Sequence, residues 1–203
     1  MPKLSRRAAL AGGMVGIVAG WRPSAGLAQA AAMRVRGRIL SLDGGVLTVA
    51  ARDGEEIPVR LGEATVSALR RVSVADLVPG TPLGVVAEPA GDGLRAVAVT
   101  VLPPTATRQF QSPWDLGPDS SMNNGAVAAV VQRAEGHELT LSINGRSVPV
   151  RLDDRTALVR PVEASRDDLK PGAAVFISAT RGEDGRVVAT RVIVEKDGVA
   201  PPI

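Results

Sequence analysis

The 203 residues contain one histidine, His137, and no cysteine. That supply removes most catalytic chemistry before any fold is considered. Without cysteine there are no disulfides, thiolate metal sites or thiol nucleophiles. A Ser-His-Asp relay would have to run through His137, which the turn pattern places in a hairpin loop, and no G-x-S-x-G turn presents a serine. Beyond residue 30 the methionines are Met33 and Met122, too few soft donors for a soft-metal site. The expectation is a chain without enzymatic activity or cofactor, with carboxylate-only chemistry as the one catalytic alternative.

Three charged or aromatic groupings remain as candidate sites. The acidic pairs Asp153-Asp154 and Asp167-Asp168, with Glu183-Asp184, could gather around a hard cation such as calcium. None has the alternating spacing of a calcium loop, so the competing reading is solvated loop charge, with Asp167-Asp168 supplying a helix N-cap. Arg34, Arg36 and Arg38 alternate along one strand, opposite Val35 and Ile39. That face suits an anionic glycan, a lipid head group or nucleic acid, or else serves as a charged edge that discourages sheet-to-sheet association. Base stacking needs aromatic platforms, and the strands of this half have none. The third grouping lies in Pro103–Gly125, rich in Pro, Ser, Thr, Asn and Gly, where Phe110, Trp114, Asp115 and Asn124 mark a ligand or interdomain surface on an ordered strap.

The elements that must position these groups begin after a leader. Lys3, Arg6 and Arg7 precede an apolar run from Ala8 to Ala19, and Ala28-x-Ala30 suits signal peptidase. The paired arginines resemble the twin-arginine export signal. Residues 1–30 therefore read as a signal peptide cleaved near Ala30, and the expected location is the periplasm. The leader holds four of the 24 basic residues (Lys3, Arg6, Arg7 and Arg22) and none of the 21 acids, leaving 20 against 21. The basic pI of the whole chain thus belongs to the leader, and nucleic acid is not an expected partner.

One pattern then occurs twice. Ile57-Pro58-Val59-Arg60-Leu61 after Asp53-Gly54 returns, 91 residues on, as Val148-Pro149-Val150-Arg151-Leu152 after Asn144-Gly145. Asp-Gly and Asn-Gly are two-residue hairpin signals. Asp76-Leu77-x-Pro79-Gly80 returns as Asp168-Leu169-x-Pro171-Gly172, each reading as a short helical turn stopped by Pro-Gly. Alternating apolar runs predict five strands per copy, starting at Val35, Val46, Ile57, Leu83 and Ala96, with Val66 to Val78 irregular. The expected architecture is all-β: two tandem five-stranded OB-like β-barrels at 33–102 and 126–197, a strap at 103–125 and a tail at 198–203. Aromatics are 2% of the chain, so the core must be built from Val, Leu, Ile and Ala.

The motifs around Gly37, Thr48, Asp53-Gly54, Thr65, Asp76-Leu77-x-Pro79-Gly80 and Gly93-x-x-Ala96 resemble those of the bacterial domain of unknown function family 5666. The second half, with Pro113-Trp114-Asp115, Ser121-Met122-x-Asn124, Asp168-Leu169-Lys170-Pro171-Gly172 and Arg191-Val192-x-Val194-x-x-Asp197-Gly198-Val199-x-Pro201-Pro202, resembles a narrower group of exported bacterial proteins. The resemblance implies small OB-type barrels in an exported protein and brings no activity with it. The function expected is a non-enzymatic binding or assembly module whose partner is a periplasmic protein or small ligand. The alternative is a periplasmic cation-binding protein using the acidic loops, followed by an OB-type binder of nucleic acid or anionic glycan.

Overall fold

The computed structural model describes residues 31–91 and 93–202. The signal residues Arg6, Arg7, Ala28 and Ala30 lie outside the described residues, as does Ile203 of the tail. The first half forms strands β1 (Ala31–Asp43), β2 (Val46–Ala51), β3 (Glu56–Arg60), β4 (Thr65–Arg71), β5 (Pro82–Ala90) and β6 (Gly93–Val101), with a one-turn 3-10 helix η1 (Val74–Asp76). A short β7 (Phe110–Pro113) follows. The second half forms β8 (Ser121–Arg133), β9 (Gly136–Ile143), β10 (Arg146–Leu152), β11 (Ala157–Glu163), β12 (Ala174–Arg181) and β13 (Val187–Val194), with η2 (Arg166–Asp168).

Local chemistry explains the hairpins. Asn144 and Gly145 take φ of 50° and 77° and join β9 to β10 in the two-residue loop that such angles favour. In the strands, period-two alternation sends Val35, Leu47, Val49 and Val59 inward and leaves Arg34 and Arg38 outside. Both long first strands cross their neighbours at a glycine. A Cβ on Gly37 would lie 2.0 Å from the Ala50 carbonyl oxygen, and one on Gly125 would lie 2.4 Å from that of Ser142. Only glycine permits that approach.

The pairings form two five-stranded circuits. In the first, β3–β2–β1–β12–β13 run antiparallel, and a parallel link of two residue pairs, Val59↔Val187 and Arg60↔Val188, returns β13 to β3. In the second, β10–β9–β8–β5–β6 do the same, with Val150↔Leu94 and Arg151↔Arg95 as the link. Each circuit surrounds one aliphatic cluster, which includes Ile39, Leu47, Leu61 and Ile177 in the first and Leu83, Leu139, Leu141 and Leu152 in the second.

The chain is all-β, as expected, but the strand partnership departs from one barrel per repeat. Each circuit takes three strands from one half and two from the other. The cause lies in the segment that looked irregular. Thr65 to Arg71 contains no Gly, Pro, Asn or Asp to turn it, so the chain runs on extended for roughly 20 Å and delivers η1, β5 and β6 to the other circuit. β11 makes the return crossing, and β4 and β11 pair antiparallel from Ser67↔Glu163 to Arg71↔Val159. Leu77, just after η1, is buried in the second cluster, and Leu169, just after η2, in the first. The Pro-Gly turns lock onto the host circuit: Gly80 N–H donates to Val127 and Gly172 N–H to Ile39, each at 2.8 Å.

Candidate functional site

Residues directly opposed on neighbouring strands project to the same face. On the outer face of the first circuit this produces two rows. Arg34, Ser178, Arg191 and Thr65 stand side by side on β1, β12, β13 and β4, and Arg36, Phe176, Ile193 and Ser67 form the next row. The strap docks on these rows. β7 adds to β8 through Phe110↔Asn124 to Pro113↔Ser121, and a tight turn follows. The Ser120 hydroxyl ties that turn, donating to the Trp114 carbonyl at 2.8 Å and accepting from Leu116 N–H at 3.2 Å.

The turn presents Trp114 and Asp115 to β1. Arg36 grips Asp115 through Nη1 and Nη2 of its guanidinium, at 2.9 and 2.7 Å. Arg34 stands 3.5 Å from the same carboxylate, with its guanidinium 3.7 Å from the Trp114 ring centroid. Trp114 in turn stacks on Phe176 at 6.4 Å, and Arg36 lies 5.0 Å from the Phe176 centroid. The Arg36 hydrogen bonds hold the Asp115 carboxyl below the usual carboxylate range, against some burial that opposes the shift. The arginine face is therefore partly covered, and one acid is shared by two guanidinium groups.

Behind the strap a groove of about 740 Å³ runs between the outer faces of the two circuits. Leu69 and Pro161 of the crossing strands line it, with Leu102, Phe110 and Met122 on one side and Phe176 and Ile193 on the other. Arg34 and Arg191 are its charged lining residues among those described. The indole Nε1 of Trp114 is buried there without a partner among the described residues.

The expected site residues thus divide. Arg34, Phe110, Trp114 and Asn124 meet at the groove, and Asp115 anchors its wall. Arg38 points away, donating to the Gly172 carbonyl at 2.7 Å with Glu195 at 3.8 Å. The acids are not brought together: no group of three or more ligand side chains suited to a metal occurs among the described residues. Asp153 accepts from Arg155 N–H at 3.0 Å and faces Arg95 at 3.7 Å, and Asp154 stands beside it on a turn. The N-cap of η2 is Ser165, rather than the Asp167-Asp168 pair. Its hydroxyl accepts from Asp167 N–H at 3.2 Å, while the Asp168 carboxylate accepts from Ser165 N–H at 2.9 Å and Lys196 at 3.2 Å. Those two donors, the backbone first, hold the Asp168 carboxyl low. His137 is half-buried on β9 opposite Gln132 and Leu152, two residues beyond the turn expected to hold it.

Sequence reasoning missed Phe176, Ser178 and Arg191. Phe176 is the third aromatic beyond the leader and could have been sought as the platform for Trp114; Arg191 stands in the terminal motif, where nothing marks it as a site residue, and Ser178 carries no sequence signal. Also missed is Asn123, fully buried, which donates to the Val85 carbonyl at 3.2 Å and accepts from Gln111 at 2.7 Å, stitching the strap to β8.

Comparison with known proteins adds one match. Residues 125–193 fit the family model described as "Domain of unknown function (DUF5666)". That segment is DUF5666-like. It runs from within β8 through most of β13, so its first three strands lie in one circuit and its last two in the other. No curated protein and no solved structure matches the chain. Among the described residues no helix is long and apolar enough to cross a membrane.

Proposed function

We propose that the protein is an exported, non-enzymatic binding module of the periplasm. It is built by duplication of an OB-like barrel unit that has exchanged its last two strands with its twin. The groove between the circuits is its binding surface. The observation that carries this reading is the strap: eleven residues from Phe110 to Ser120 are held in place by the Arg36–Asp115 clasp and close one side of an otherwise shallow seam. The volume falls within the range of small-molecule sites, about 300–1,000 Å³. The lining offers aromatic and aliphatic contact with a few polar groups, and it lacks the nucleophile–base pairing that catalysis would need. The leader, with its paired arginines and Ala28-x-Ala30 ending, supports export by the twin-arginine route.

Native mass spectrometry of the protein recovered from its own cell envelope tests the reading. A Thr100→Trp variant, which fills the groove, serves as the control. The expected result is a mass excess on the wild type that the filled variant lacks. Equal masses for the two proteins, or reproducible turnover of a substrate, would overturn it.

A further inference from the structure

The two circuits match position for position, and the match makes the groove's asymmetry measurable. Ser178 pairs with Arg34 and Arg191, and Thr65 pairs with Arg191. At the equivalent places in the other circuit Val86 pairs with Met122 and Ala98, and Ala157 pairs with Ala98. A row of two arginines and two hydroxyls on one side is replaced, residue for residue, by Met122, Val86, Ala98 and Ala157 on the other. The groove therefore has a cationic end, lined by Arg34, Arg191, Thr65 and Ser178, and an uncharged end where Met122 and Val86 are joined by Asn124 and Thr100; Ala98 and Ala157 lie outside its lining.

At the cationic end the charge is not neutralised. Asp115 gives both carboxylate oxygens to Arg36, so Arg34 holds only a longer contact at 3.5 Å. Arg191 makes no ion pair among the described residues, and the groove lining contains no carboxylate there. Guanidinium groups flanking a hydroxyl suit a carboxylate or phosphate, which accept two parallel N–H bonds. The far end, with Leu102, Phe110 and Met122, offers nothing to a second charge.

We infer that the groove binds a single-chain amphiphile with an anionic head group, its head between Arg34 and Arg191 and its chain along Leu102, Phe110 and Met122. This rests on the binding-module reading above and names its ligand class. Head and tail each contribute: the row selects charge, and the uncharged end rewards chain length.

The probe is dodecanoate, titrated below its aggregation concentration into the full chain carrying Trp21→Phe, so that Trp114 is the only tryptophan. A brominated dodecanoate should quench Trp114 saturably with one site per chain. Dodecyl phosphate should compete, whereas acetate and inorganic phosphate should not. Shortening to octanoate should weaken binding about tenfold or more, as expected for loss of buried methylenes. Dodecyltrimethylammonium and dodecanol should bind at least about tenfold more weakly, and Arg191→Gln should weaken dodecanoate by about tenfold while leaving dodecanol unchanged. Absence of saturable quenching, or equal affinity for the cationic amphiphile, overturns the inference. If dodecanoate fails while Thr100→Trp still strips a retained mass from the native protein, the ligand class is wrong and the binding module stands. If both fail, both readings fall.

Discussion

Replacing Asp115 by Asn tests whether the strap is clasped by charge or merely packed. The wild-type carboxylate accepts two charge-assisted hydrogen bonds from Arg36, whose side chain is 11% exposed, against 42% for Asp115. Hydrogen bonds to charged groups contribute roughly 1.5–3 kcal/mol each, but Asn keeps one acceptor and the exposure of Asp115 pulls the Coulomb part toward the surface value of about 0–1 kcal/mol. Against that discount, the change strands a nearly buried guanidinium with no anion. The balance is about 2 kcal/mol, or roughly 4–8 °C in Tm for a chain of this size. Urea unfolding followed by circular dichroism gives the global value, and Trp114 emission in the Trp21→Phe background reports the strap itself. A double-mutant cycle with Arg36→Met should return a coupling of about 1–2 kcal/mol. A loss under about 0.5 kcal/mol with unchanged Trp114 emission, or an additive cycle, refutes the clasp.

Three further outcomes are expected. The Asp115 carboxyl is held low, so its contribution to docking is complete above the unfolded value near pH 4 and fades as pH falls through the lowered folded value; Trp114 emission should be flat from about pH 7 to 5 and shift only below about 4. Gly37→Ala and Gly125→Ala each drive a methyl into a facing carbonyl that the sheet holds fixed, and should cost about 3 kcal/mol or more in urea unfolding or abolish soluble protein, since overpacking a rigid site has no cheap relief; a cost under about 1 kcal/mol would show that the strands can separate there. Residues 121–197 alone hold three strands of one circuit and two of the other, so they should run as a dimer in size exclusion with light scattering; a stable monomer would mean that the unit can fold back on itself.

Most of the architecture was legible because it is written in local signals. The Asp53-Gly54 and Asn144-Gly145 turns, the period-two runs and the Pro-Gly stops place ten of the strands close to where they form. Of the other three, β7 lies in the strap, where no strand was expected, and β4 and β11 were not legible. Thr65-Val66-Ser67-Ala68-Leu69-Arg70-Arg71 buries Ala68 and Leu69 as neighbours, because Leu69 lines the groove while Ala68 is buried on the opposite face, and cover on both faces destroys simple alternation. A strand covered on both faces has no polar side to mark its period. The exchange follows from those two strands, so it was hidden with them. At the site, Trp114 and Phe110 stood out as rare residues in a polar stretch. The clasp could not be found, because nothing in the sequence joins Asp115 to Arg36 across 79 residues.

The exchange also bears on where specificity can reside. Inside the circuits, equivalent positions stay aliphatic: Leu47 and Leu139, Val59 and Val150, Leu77 and Leu169, and Val99 and Val192 are all buried in their clusters. A closely packed interior penalises any change in volume or polarity, so neither core can differ much from the other. The outward rows carry no such constraint. Had each half built its own circuit, those rows would have lain on separate units. Crossing strands β4 and β11 instead bind the circuits side by side, so that Arg34, Ser178 and Arg191 border the same groove as Met122 and Val86. Two nearly equivalent faces thereby become one surface with unlike ends, and the strap, which pairs with β8 and clasps β1, holds them in a fixed relation. A ligand with two chemically different ends is what such a surface can distinguish.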